Sequence, residues 1–214
     1  MLGVSMMFNY IKNPIEIYVR SFEIIRAEAD FSKLPMNAHP IATRIIHSCG
    51  MIEIVDDIVI TENFAAVAQQ ALANGKPIFV DAEMVRHGII ARQLVNKNEI
   101  ICTLNDPRAR EIGIAKSITR SAAALELWTE KLKGAIVVIG NAPTALFALL
   151  EMIDVGAPKP ACIVGMPVGF VGAAESKGEL IGNPRGIPFA TIKGRKGGSA
   201  MASSVINALT SDNQ

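Results

Sequence analysis

The stretch Ala135-Ile136-Val137-Val138-Ile139-Gly140-Asn141-Ala142-Pro143-Thr144 decides how this chain folds. Its first half is continuously apolar and mostly β-branched, which suits a strand buried on both faces. Gly140 and Asn141 interrupt the run, and Pro143 is pre-set for the first turn of a helix expected over Pro143–Val155. A strand that passes through a tight turn into a helix is the unit of a parallel sheet. Working outward, the same short runs recur at Ile78–Val80, Ile100–Thr103, Ala161–Val164 and Phe189–Ile192. Helical patterns lie between them, at Glu62–Asn74, Ala109–Ala115, Arg120–Lys131, Gly172–Leu180 and Gly198–Leu209. The alternation predicts an α/β fold in three layers, with helices on both faces of a mostly parallel sheet. Pro14–Asp30 and Pro40–Cys49, the latter closed by Gly50, add an N-terminal helical segment. No repeat, low-complexity tract or linker divides the chain. Residues 9–210 are therefore expected to form a single domain, with residues 1–8 a disordered lead-in.

Composition narrows the function classes. Half of the residues are apolar and only 19% are charged, and mean hydropathy is +0.33. That richness predicts surface buried between subunits. It does not predict a membrane span, because the longest uncharged stretch, Gly134–Leu150, is broken by Gly140, Asn141 and Pro143. No secretory signal is evident. Cys49, Cys102 and Cys162 lack metal-type spacing and read as buried thiols of a cytoplasmic protein. No metal site is expected. A net charge of +1 and 5% aromatics give little to bind nucleic acid with. The charge is unevenly placed, however. Between Glu179 and Asp212 there is no acid, yet Arg185, Lys193, Arg195 and Lys196 fall there, which suits a small polyanion.

Ligands of such sheets gather at the carboxyl ends of the strands. Gly140–Thr144, Gly165–Gly172 and Gly194–Ser199 each follow a strand and open a helix, where free backbone N–H groups attract anions. None matches a dinucleotide or phosphate-loop fingerprint, so a nucleotide enzyme is a weak reading. Chemistry points instead to Arg44-Ile45-Ile46-His47-Ser48-Cys49-Gly50. On a helix, Arg44 and His47 share a face and can act on one ligand. An imidazole beside a fixed cation can handle protons on an anionic substrate. Spacing alone also permits an ordinary histidine satisfied by a backbone partner.

Seven segments in order resemble the precorrin-8X methylmutase family, including its cobalt-precorrin-8 counterpart. They are Ile17–Phe22, Arg44–Met51, Asp81–Val85, Thr119–Ala123, Gly140–Leu146, Pro167–Val171 and Gly194–Ser199. The resemblance implies a Rossmann-like fold and a cytoplasmic homodimer with active sites near the subunit interface. It also implies an isomerase that moves a methyl group from C-11 to C-12 of a polycarboxylate macrocycle, giving hydrogenobyrinate or cobyrinate. His47 would be the proton donor and acceptor, with Ser21, Arg44 and Arg120 binding substrate. Arg195 is expected to meet a substrate carboxylate, because a guanidinium grips such groups with fixed geometry. Arg185 and Lys196 join it on the expected basic rim, and Val168–Val171 would cover the ring. No cofactor is expected, since the rearrangement is internal to one molecule; cobalt, if present, belongs to the substrate. The alternative is a corrinoid carrier that binds the pigment without changing it.

Overall fold

In the computed structural model, which describes residues 8–94 and 96–210, the run quoted first is β4 (Ile136–Ile139). Its neighbours are β5 (Cys162–Gly165) on one side and β2 (Ile78–Val80) on the other, both parallel to it. Beyond β2 comes β3 (Ile100–Cys102), and beyond β5 comes β6 (Phe189–Ile192), again parallel. β1 (Ile58–Ile60) closes the β6 edge in antiparallel sense, with Ile58 opposite Ile192. The sheet order is therefore β1-β6-β5-β4-β2-β3.

Side-chain alternation along each strand divides the core into two halves. Ile136 and Val138 pack with Ile78, Val164 and Ile192 beneath α2 (His39–Cys49), α3 (Phe64–Ala73), α4 (Glu83–Gly88) and α9 (Ser199–Thr210). Val137 and Ile139 point the other way, with Phe79, Ile163 and Phe189, beneath α6 (Arg120–Leu125), α7 (Pro143–Asp154) and α8 (Ala173–Gly182). Both faces being covered is why the strands read as unbroken apolar runs. Each fully buried valine or isoleucine contributes about 1.5–3 kcal/mol. On the second face Trp128 stacks on Phe79, ring centroids 4.9 Å apart, and donates its indole N–H to Thr103 Oγ1 at 2.8 Å. α5 (Pro107–Lys116) lies against α6.

α1 (Pro14–Glu28) is docked differently. Asn13 caps it, accepting from Ile15 N and Glu16 N, and it rests against α2. Ile25 is its one buried residue, while Ile15, Ile17, Val19 and Ile24 are exposed.

The structure departs from the sequence reading in a few places. β1 and α4 were not expected. The helix predicted over Arg120–Lys131 stops at Leu125 and resumes as a 3-10 turn, Thr129–Leu132. Residues 1–7 of the expected lead-in lie outside the described residues. Among the described residues no helix is long and apolar enough to cross a membrane. Cys162 is buried, but Cys49 and Cys102 are only half-buried.

Candidate active site

The sheet has its topological switch between β2 and β4, since the chain leaves β2 toward β3 and leaves β4 toward β5. A crevice for an anionic ligand is expected there. This chain fills it with its own carboxyl group. Asp81, 2% exposed, follows β2 and accepts from three successive backbone N–H groups at the start of α7: Gly140 (2.9 Å), Asn141 (3.0 Å) and Ala142 (2.7 Å). Burial pushes the Asp81 carboxyl above its ordinary value, and the three donations pull against that shift. A phosphate has no place at this turn, which removes one of the turns that could have held a nucleotide.

The titratable cluster lies where α1 crosses α2. In α2, Ile41, Ala42, Ile45 and Ile46 face the core, so the 3.6-residue repeat turns Arg44 and His47 outward together. Gly50 ends the helix in the left-handed region, φ 70°, its N–H donating to the Ile46 carbonyl. From α1, Tyr18, Ser21 and Phe22 project onto the same spot. Ser21 Oγ and His47 Nδ1 are 2.8 Å apart. Tyr18 and Phe22 flank the imidazole at 5.4 and 5.2 Å between ring centroids. The Arg44 guanidinium lies over both rings, 5.0 Å from Tyr18 and 5.4 Å from Phe22.

This arrangement fixes the histidine without neutralising it. A serine hydroxyl can donate to a neutral Nδ1 or accept from a protonated one, so Ser21 serves both charge states. Among the described residues nothing bonds to Nε2, which can face a ligand. No carboxylate pairs with His47 among the described residues, so Ser21 and His47 do not form a hydrolase triad. Partial burial lowers the His47 pKa from 6.5, and the Arg44 charge lowers it further. A place in the last turn of α2 works in the opposite direction, because a helix C-terminus favours a cation. Arg44 itself lies over two aromatic rings, contacts of about 0.5–1 kcal/mol that restrain the cation beside His47.

The remaining expected residues divide. Arg195 is exposed, its guanidinium 5.4 Å over the exposed ring of Phe170. Burial raises the Cys49 thiol above its ordinary value, and Lys196 pairs at 3.5 Å with Asp57, which ends the 3-10 turn that follows α2. Arg120 is the exposed first residue of α6, tied to α7 through Thr119 Oγ1 and Thr144 Oγ1 at 2.8 Å. It does not join the Ser21–Arg44–His47 cluster. Arg185 is a correction. It pairs with Asp154 at 2.7 Å and Glu179 at 2.8 Å, its side chain is 10% exposed, and its charge is spent bridging α7 and α8. His39 stacks on Phe31 and His87 is exposed beside Glu83, so neither belongs to the cluster. Among the described residues no group of His, Cys, Asp or Glu is placed to hold a metal ion. Tyr18 and Phe22 were given no site role in the sequence reading; the spacing of Tyr18 three residues before Ser21 and four before Phe22 on a helix was the available signal.

The α1–α2 crossing thus brings together an imidazole, a hydroxyl and a guanidinium, and among the described residues no carboxylate completes a hydrolase triad there. The family model described as Precorrin-8X methylmutase matches residues 16–211. A precorrin-8X methylmutase of Sinorhizobium sp. is 53% identical over 202 residues, covering 94% of this chain and 96% of that protein. The precorrin-8X methylmutase of Pseudomonas aeruginosa is 49% identical over 208 residues, covering 97% and 100%. The crystal structure of precorrin-8x methyl mutase from Thermus thermophilus superposes with a TM-score of 0.83 at 36% identity, covering 92% of this chain and 94% of that one. The chain belongs to the precorrin-8X methylmutase family.

Proposed function

We propose that this chain moves a methyl group from C-11 to C-12 of precorrin-8X, giving hydrogenobyrinate, with His47 as proton donor and acceptor. The observation that carries the reading is the His47 imidazole, pinned through Nδ1 by Ser21 and accompanied by Arg44. The migration is redox-neutral and internal to one molecule, so it calls for no cofactor. A ring nitrogen or carbon that takes a proton from Nε2 leaves the conjugated system electron-poor, which eases the shift. The proton returns to His47 afterwards, and atoms and charge balance. The site must also hold the macrocycle still, since fixed orientation removes much of the entropic barrier. Arg44, Arg120 and Arg195 are the cations we assign to its carboxylates, and the Ser21 hydroxyl to orientation of His47 and the ring. The metal-free substrate is favoured by the names of the two relatives that share about half of their residues with this chain.

Anaerobic incubation with precorrin-8X, and separately with its cobalt form, tests this reading. Methyl migration followed by NMR supports it. Pigment retained on a desalting column with neither form converted would establish the carrier instead.

We also infer a homodimer working in the cytoplasm. Three unpaired thiols suit a reducing compartment. Ile15, 73% exposed, and Val19, 52% exposed, lie one turn apart on α1, and Phe8 and Tyr10 precede them with similar exposure. An apolar surface of this extent is expected to be covered. Light scattering should give about twice the chain mass, and Ile15→Lys with Val19→Lys should halve it. A wild-type monomer at micromolar concentration would sink the inference.

A further inference from the structure

Lys177, on α8, is 0% exposed and takes no part in the chemistry above. A lysine is enclosed in this way only where its ammonium has a partner. Its Nζ donates to the Lys196 carbonyl at 2.5 Å. Asp57 lies close enough to act on its charge, and burial brings its pKa down to about 8.

Lys196 belongs to the segment Lys193-Gly194-Arg195-Lys196-Gly197-Gly198, whose three glycines give it much conformational freedom to lose. Several contacts hold it. Lys193 N–H donates to the Asp57 carbonyl at 2.8 Å, and Lys196 Nζ reaches the Asp57 carboxylate at 3.5 Å. On the other side it is laced to the loop after β5: Gly169 N–H donates to the Arg195 carbonyl (3.2 Å) and Gly198 N–H to the Met166 carbonyl (2.9 Å). The two loops approach so closely that a Cβ on Gly197 would stand 2.5 Å from the Met166 oxygen and 2.6 Å from that of Pro167. On the outer surface of this double loop sit Arg195 and Phe170, the latter 84% exposed. Lys177 grips the loop from below at the residue next to Arg195.

We propose that Lys177 is a positioning residue for substrate binding: by holding the Lys196 carbonyl from the core side, it fixes Arg195 and Phe170 in the attitude that receives a carboxylate and the face of the macrocycle. This rests on the reading of Arg195 as a substrate contact. The fastening is separate from the Ser21–His47 bond, so its loss should act mainly on binding.

Lys177→Met keeps the stem and removes the donor. In the full chain it should raise the KM for precorrin-8X about tenfold with kcat within about threefold, the signature of lost uniform binding. In an Arg195→Ala background the same change should add less than about twofold, because the two act on one contact. Hydrogen exchange at residues 194–198 should quicken in Lys177→Met, a readout that needs no substrate. If Lys177→Met does not fold, Lys177→Arg, whose bulkier head cannot share the enclosed seat, should raise KM and quicken exchange in the same way. Unchanged exchange overturns the fastening. Quickened exchange with unchanged KM, or equal effects in both backgrounds, overturns the positioning role. A wild type that does not convert precorrin-8X is a failure of the functional reading, and loop exchange still decides whether Lys177 holds the loop.

Discussion

Replacing His47 by alanine is expected to lower turnover of precorrin-8X by about 10²- to 10⁴-fold, or roughly 3–5 kcal/mol of barrier, while the pigment stays bound. Retained binding follows because the cations and apolar surfaces assigned to the macrocycle remain. Loss of turnover follows because the other two histidines, His39 and His87, lie outside the cluster and cannot replace the imidazole. A carrier would be indifferent to the change, so near-normal behaviour of the variant would remove the catalytic role of His47.

The pH dependence of the wild type gives the same residue a second test. Burial first, and Arg44 second, hold the free imidazole below its ordinary value of 6.5. As the donating form is the protonated one, kcat/KM should fall as pH rises through that lowered value. Substrate carboxylates that pair with Arg44 cancel its repulsion, so the corresponding limb in kcat should lie at higher pH. Coincident limbs would show that bound substrate leaves the imidazole unaffected. The stability linkage has its own sign. A folded-state pKa below the unfolded one gives a contribution present above pH 6.5 and lost as pH falls through the folded value.

Asp81→Ala should be the most damaging single change away from the cluster. It strips the partner from three N–H groups at the mouth of α7. Each buried donor left unsatisfied costs about 1–3 kcal/mol, so the total is roughly 3–9 kcal/mol against a margin of about 5–15 kcal/mol. Thermal unfolding should move down by about 6–36 °C. Asp81→Asn keeps an acceptor oxygen and should lose about half as much. An alanine variant that melts with the wild type would mean that water takes over the three donations.

How far the sequence could be read depended on whether the signal was local. β4 and α7 were legible because a buried strand, a Gly-Asn turn and Pro143 follow one another without a gap. β1 was not, since three residues at an antiparallel edge carry too little pattern to separate from a loop. Arg44 and His47 were legible through their spacing on α2. The Ser21–His47 bond was not, because the two lie 26 positions apart and only the docking of α1 on α2 joins them. Arg185 was misread for the same reason. Asp154 is 31 positions away, and although Glu179 lies nearby in the chain, nothing in the sequence shows that α7 and α8 bring both acids onto one cation.

The thiols have a practical consequence. Burial pushes Cys102 up to about 11 and Cys162 up to about 12. At pH 7 fewer than about one in 10⁴ of either is the thiolate that reacts. Cys49 is also pushed upward, by burial first. Purification in air should therefore leave Cys102 and Cys162 as free thiols without added reductant, and the oxygen-free chamber can be reserved for the pigment.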